Sequence, residues 1–153
     1  LKAPVDSAGT AYASPWVDLK NALHATFFYY AGVVTAASAD QAVVITMEAA
    51  TAAASGSEVA IAFKYRLSGA TGANTWGDIT AATSAGYSFA TDADGKMLLI
   101  EVDIDPAALD SALADARFVR MVVGIDAGGT VTLNAAWAEL DPRFPQTTHL
   151  SAT

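Results

Sequence analysis

Between positions 57 and 69 the chain reads Ser-Glu-Val-Ala-Ile-Ala-Phe-Lys-Tyr-Arg-Leu-Ser-Gly, with Val59, Ile61, Phe63, Tyr65 and Leu67 at every second position. Ala60, Ala62, Lys64 and Arg66 fill the positions between. Side chains alternate across a strand, so this spacing puts five large apolar groups on one face and small or charged ones on the other. A helix would scatter the same residues around its circumference, and Val, Ile, Phe and Tyr suit a pleated surface. The stretch predicts a strand with one buried face, and that face requires a second apolar layer.

The rest of the chain supplies such layers. Residues 16–20 predict a short first strand and Asn21-Ala22 a turn. Residues 24–34 carry Phe27, Phe28, Tyr29 and Tyr30 in succession, as in a strand covered on both faces, with Gly32 marking a bulge. Val43, Ile45 and Met47 share a face in the strand expected over 41–51. The alanine-rich run at 49–54 has helical propensity, but its place between two strong strands makes it a strand end and turn. Short strands are expected at 76–80 and 87–89, and a longer one at 96–104 with Leu98, Ile100, Val102 and Ile104 in phase. Asp105-Pro106 is a helix start, an Asp cap followed by Pro at the first helical position, and opens a short helix over 106–114. Residues 117–125 form another strand, and 126–129 close a hairpin into 130–140, where Val131, Leu133, Ala135 and Trp137 share a face. The flanks, 1–15 and 141–153, read as extended arms around a single domain at 16–140. The expected fold is all-β, an antiparallel β-sandwich, jelly-roll-like or immunoglobulin-like, with eight or nine strands and one short helix.

Composition narrows the chemistry. A chain of 153 residues can bury roughly 68–70% of the surface it exposes when unfolded, enough for a core without staples. Cysteine is absent, which removes disulfides, thiolate metal sites and a Cys nucleophile. No run reaches the roughly 18 apolar residues of a membrane span. Leu1-Lys2-Ala3-Pro4 lacks the apolar core of a secretion signal, and processing upstream of Leu1 stays open. The net charge is −8, and Asp92, Asp94, Glu101, Asp103, Asp105, Asp110 and Asp115 crowd one stretch whose single base is Lys96. Phosphate backbones need clustered Lys and Arg, so nucleic acid and anionic membranes are not the expected partners.

No catalytic set emerges. The two histidines, His24 and His149, lie in an aromatic strand and an irregular tail, and no serine sits in a Gly-x-Ser-x-Gly elbow. Asp92-Ala93-Asp94-Gly95 echoes the opening of a calcium loop, but the twelfth position is Asp103 and hydrophobic strand residues fill the interval. A hairpin turn accounts for it better. Glu48, Glu58, Glu101 and Glu139 lie on or beside strands, and nothing in their spacing pairs two for glycoside hydrolysis. Trp16, Trp76 and Trp137, with Tyr12, Tyr29, Tyr30 and Tyr87, would suit a sugar-stacking platform. Trp137, in phase with Val131 and Leu133, reads instead as core, and Trp76 is the best exposed candidate.

Three passages carry a resemblance. Trp16-Val17-Asp18-Leu19-Lys20-Asn21-Ala22 runs into His24-Ala25-Thr26-Phe27-Phe28. The strand from Val43 to Ala52 precedes Val59-Ala60-Ile61-Ala62-Phe63-Lys64-Tyr65-Arg66. The last strand ends Asp141-Pro142-Arg143-Phe144-Pro145-Gln146. Together they resemble the small β-sandwich head decoration (cement) proteins of tailed bacteriophages, over about 16–146. The resemblance implies a non-enzymatic virion protein on the outer surface of the capsid. Its partners would be the major capsid protein and further copies of itself, and it would need no cofactor. The contacts expected are the arms at 1–15 and 141–153 with Trp16 and Phe144, together with Lys64, Arg66 and Arg143, and Trp76 is the contact in the alternative, a carbohydrate-binding module. Lys64 and Arg66 project from the face opposite the core, where they suit an acidic neighbour.

Overall fold

A computed structural model describes residues 2–8, 11–31, 34–35, 42–53, 56–68, 75–90, 98–104, 109, 112–125 and 130–144. They form β1 (Lys2–Ala8), β2 (Tyr12–Ala13), β3 (Val17–Asp18), β4 (Ala22–Ala31), β5 (Val34–Thr35), β6 (Ala42–Ala50) and β7 (Val59–Ile61). The chain continues through β8 (Phe63–Leu67), β9 (Thr80–Ala82), β10 (Tyr87–Ala90), β11 (Leu98–Ile104), β12 (Phe118–Ile125) and β13 (Thr130–Pro142). One sheet has the order β1-β13-β4-β11-β8-β9, with β5 also on β13. The other has the order β10-β6-β12-β2, with β3 also on β12 and β7 also on β6. Every pairing is antiparallel.

The pairing is nested. With β2 and β3 as one interrupted strand, they pair with β12, β4 with β11, β6 with β10, and β8 with β9. First pairs with last, second with next to last, and so inward: this is the roll-up of a jelly roll, not the immunoglobulin order. β13 and β1 extend the sheet beyond β4.

Alternation explains the core. From one sheet Ala25, Phe27 and Tyr29 of β4, Phe63 of β8 and Ala136 of β13 point inward. Val43, Ile45, Met47 and Ala49 of β6 and Val119, Met121 and Val123 of β12 meet them in one buried cluster. Met47 faces Met121 in register, two unbranched side chains that adapt to whatever gap the opposite sheet leaves. Inside this slab the Tyr12 and Tyr29 phenols lie close enough to interact, and burial raises both far above their ordinary value.

The stretch at 57–69 does more than line one sheet. It pairs with β6 as β7, breaks at Ala62, and joins β11 and β9 as β8. Ile61 and Phe63, on either side of the break, are buried, and Tyr65 and Leu67 pack partly buried against the core. Val59 departs from the expected pattern and is 39% exposed, because it lies at the edge of its sheet before the chain passes between the layers.

Several expectations are corrected. The segment read as an N-terminal arm contains β1, paired with β13, and β2, paired with β12 at Val122 and Val123. Two register shifts along β1 erase the period-two signal, and an edge strand tolerates Pro4. Residues 141–142 belong to β13 rather than to a C-terminal arm. The expected hairpin between 117–125 and 130–140 does not form, since β12 and β13 lie in different sheets. At 76–80 only Trp76 makes a bridge, to Ser68, and the strand begins at Thr80. The helix expected at 106–114 falls mostly outside the described residues; within them Leu109 is buried and its carbonyl accepts the Leu113 N–H at 3.0 Å, the spacing of one helical turn. The Gly32 bulge and the 126–129 turn also lie outside the described residues.

The passage from β9 to β10 changes sheets through a tight turn at Thr83–Gly86, closed by the Gly86 N–H on the Thr83 carbonyl at 3.0 Å. Gly86 has φ +89°, and a Cβ there would collide with the Ile45 carbonyl oxygen. Beyond the turn Tyr87 packs on Tyr65 of the other sheet, ring centroids 4.3 Å apart. Gly86→Ala therefore combines a forbidden φ with overpacking and is expected to cost about 2–4 kcal/mol. Chemical denaturation should show it as a lower midpoint with an unchanged slope.

Candidate functional site

On the outer face of the six-stranded sheet, β12 alternation turns Arg120 away from Val119 and Met121. Arg120 pairs in register with Glu48, and its Nε donates to Glu48 Oε2 at 2.7 Å while Nη2 reaches Glu58 Oε1 at 3.4 Å. The guanidinium lies 4.4 Å from the centre of the Trp16 ring. Trp16 is only 8% exposed, so this expected partner contact is enclosed by its own chain. Glu58 is held below the usual carboxylate range, first by the Gly56 N–H and also by the charge of Arg120. Two glutamates thus converge where spacing had paired none, but both serve as counter-ions to one arginine.

On the outer face of the seven-stranded sheet, Lys64 is exposed and Arg66 half-buried. The Arg66 guanidinium lies 4.8 Å from the centre of the Trp76 ring, and Trp76 remains 37% exposed. The register puts Glu101 of β11 directly opposite Arg66, and Asp103 opposite Lys64. Opposite charges at such positions stabilise a sheet.

Trp137 corrects another expectation. Ala136 takes the inner face, 3% exposed, with Ala138 and Leu140 packed on the core. Trp137 lies on the outer face, stacked on Phe28 with centroids 5.2 Å apart and planes 15° from parallel. Small residues inside let the sheets approach, and the large aromatics pair outside. The three tryptophans form no single platform: Trp16 belongs to the other sheet. Trp137 and Arg66, the residue that carries Trp76, stand in one cross-strand row through Phe28 and Glu101, three strand spacings or roughly 14 Å apart.

The third locus is the turn between β3 and β4. Asp18 accepts a forked pair of bonds from Arg117, whose guanidinium lies 5.0 Å from the centre of the Phe118 ring. The Lys20 N–H donates to the same carboxylate at 2.9 Å. The register of β4 on β13 slips here: His24 faces Asp141 and Ala22 faces Pro142. Leu23 is the inserted residue, a β-bulge that turns it outward, and it is 57% exposed. The Arg143 N–H donates to the Asn21 carbonyl at 2.7 Å, and Phe144 follows, 62% exposed. Sequence reading had named Arg143 and Phe144 but not Leu23. The signal was present in Ala22 and Ala25, which are both buried yet three positions apart, so no period-two strand puts them on one face without an inserted residue.

The other chemical candidates resolve in structural roles. Ser14 Oγ donates to the Pro15 carbonyl and accepts the Met121 N–H at 3.1 Å, tying the first strand to β12. Among the described residues there is no group of three His, Asp or Glu placed for a metal ion, and the side chains of 92–103 and His149 lie outside them. No family model, curated protein or solved structure matches this chain.

Two outcomes follow. Arg120→Met keeps most of the apolar contact with Trp16 but strands two carboxylates, and should lower stability by about 1–3 kcal/mol. Arg120→Lys should recover only part of the loss, since a lysine cannot stack and fork together. Asp18 has its folded pKa lowered, first by the bonds from Arg117. Its contribution is present above the unfolded value, roughly 3.9, and is lost as pH falls through the folded one. Thermal melts between pH 6 and pH 2 should therefore fall less steeply for Asp18→Asn than for the native chain; equal slopes would assign the acid sensitivity elsewhere.

Proposed function

We propose that this chain is a non-enzymatic virion structural protein that decorates and reinforces the outer capsid surface of a tailed phage, against the major capsid protein and neighbouring copies of itself. The observation that carries the reading is where the exposed large apolar side chains lie. Leu23 and Phe144 sit at one end of the seven-stranded sheet; Trp76, bridged to Ser68 just past β8, and Ile79 lie toward the other, and Val59 lies on β7 of the six-stranded sheet. Single exposed apolar residues are ordinary. Groups of them on two sides of a domain suit protein contacts. A lattice protein touches neighbours on more than one side, and many modest contacts add by avidity. The jelly-roll order supports the reading by analogy alone, since capsid and lectin domains both use it.

One observation favours a second reading. Trp76 offers part of its ring to solvent while Arg66 steadies the other part, an arrangement suited to stacking on a sugar in a carbohydrate-binding module.

Purified virions of the phage that carries the gene distinguish the two. Mass spectrometry should find the protein in stoichiometric amounts, and reconstruction should show ordered copies on the shell lattice. Its absence from virions would overturn the decoration reading. On glycan arrays, retention that falls at least about tenfold with Trp76→Ala would favour the second.

A further inference from the structure

We infer that the corner built by the Leu23 bulge and Phe144 is the anchor through which the chain docks, and that it fits an apolar hollow rimmed by carboxylates on the shell protein. This rests on the decoration reading. The corner is made deliberately by the backbone: one residue inserted between Ala22 and His24 expels a leucine from a strand whose neighbours Ala22 and Ala25 stay buried. Bulges re-aim side chains in this way at sheet ends and sites of contact. The opposing chain delivers Phe144 beside the same turn, held there by the Arg143 N–H on Asn21.

The corner is also rigid. The Ala22 N–H closes the turn on the Leu19 carbonyl at 3.1 Å, the Lys20 N–H is on Asp18, and the fork from Arg117 fixes Asp18 in turn. Apolar side chains on a backbone already ordered lose little freedom on binding, which is where affinity is usually forfeited.

Charge selects the partner. Of the six bases whose side chains are described, Arg117 and Arg120 are held by carboxylates, and Lys64 and Arg66 stand in register opposite Asp103 and Glu101 of β11. Lys20 and Arg143 stand exposed at the corner, with Asp141 and the Arg117-bound Asp18 as nearby acids. A rim whose bases, Lys20, Arg143 and Arg117, outnumber its acids, Asp18 and Asp141, complements carboxylates. At the Trp76 and Ile79 group the adjacent Asp78 is acidic, and the nearest base, Arg66, already engages the Trp76 ring.

Binding of the purified protein to shells stripped of it tests this. The native chain should saturate the shells. Leu23→Ser with Phe144→Ser should weaken binding roughly 100-fold, with Leu23→Ser alone as the milder variant, and melting temperature read alongside separates lost contact from lost fold. Lys20→Glu with Arg143→Glu should weaken it roughly tenfold and flatten its salt dependence, while Trp76→Ala leaves it unchanged. If the native chain binds and the Leu23/Phe144 variant binds equally well, the corner is not the anchor and decoration still stands. If the native chain itself does not bind, the decoration reading fails and the anchor with it. If sedimentation shows a dimer of the free protein that these substitutions abolish, the occupant is a second copy and the assigned hollow is wrong.

Discussion

The architecture depends on the chain changing sheets between Ile61 and Phe63. Both side chains are buried, one from each layer, and the break at Ala62 between them is the only way to bury both while β7 pairs with β6 and β8 with β11. Once the strand crosses, the nesting of the other pairs is constrained. β9 must pair beside β8, and the next strand must return to the first sheet to lie along the edge of β6 that β7 left open. Tyr87 packing on Tyr65 closes that return across the layers. Gly86 allows the backbone to approach Ile45 closely enough for the turn to fit. The apolar slab is thus sealed by continuous chain as well as by alternation.

The strands that carry the slab were legible because each has one buried face and little else to satisfy. Val43, Ile45 and Met47 sit inside as their spacing requires, and so do Phe27 and Tyr29. What was hidden had a physical cause in each case. β1 slips register twice, so its sequence has no period to read. β12 and β13 look like a hairpin because they are adjacent and strong, but sheet membership is a property of pairing energy across the whole core, which local pattern does not contain. Trp137 seemed to belong inside by phase with Val131 and Leu133. The inner face there takes Ala136, because the facing layer leaves room for a methyl group and not for an indole.

The surface candidates were legible as residues and not as relations. Lys64 and Arg66 were rightly placed opposite the core face, yet their standing as docking groups changes once Glu101 and Asp103 come opposite them in register. Trp16 was visible as an aromatic and invisible as the floor under Arg120. In both cases the deciding fact is a contact between positions far apart in the chain. Composition counts charges but cannot say which are already neutralised.

That distinction carries the functional argument furthest. A chain with twice as many acids as bases repels its own copies at long range, so a protein of this kind assembles only where local complementarity overcomes the general repulsion. Arg117 and Arg120 are held in ion pairs, whereas Lys20 and Arg143 stand exposed at the rigid corner. Exposed apolar area beside such bases lets a contact be both attractive at a distance and selective on arrival, because the charge guides approach while the bulged leucine and the phenylalanine demand a matching hollow. On the proposed reading the general acidity opposes contact at long range, the few bases at the corner supply local attraction, and the apolar pair decides which recess fits.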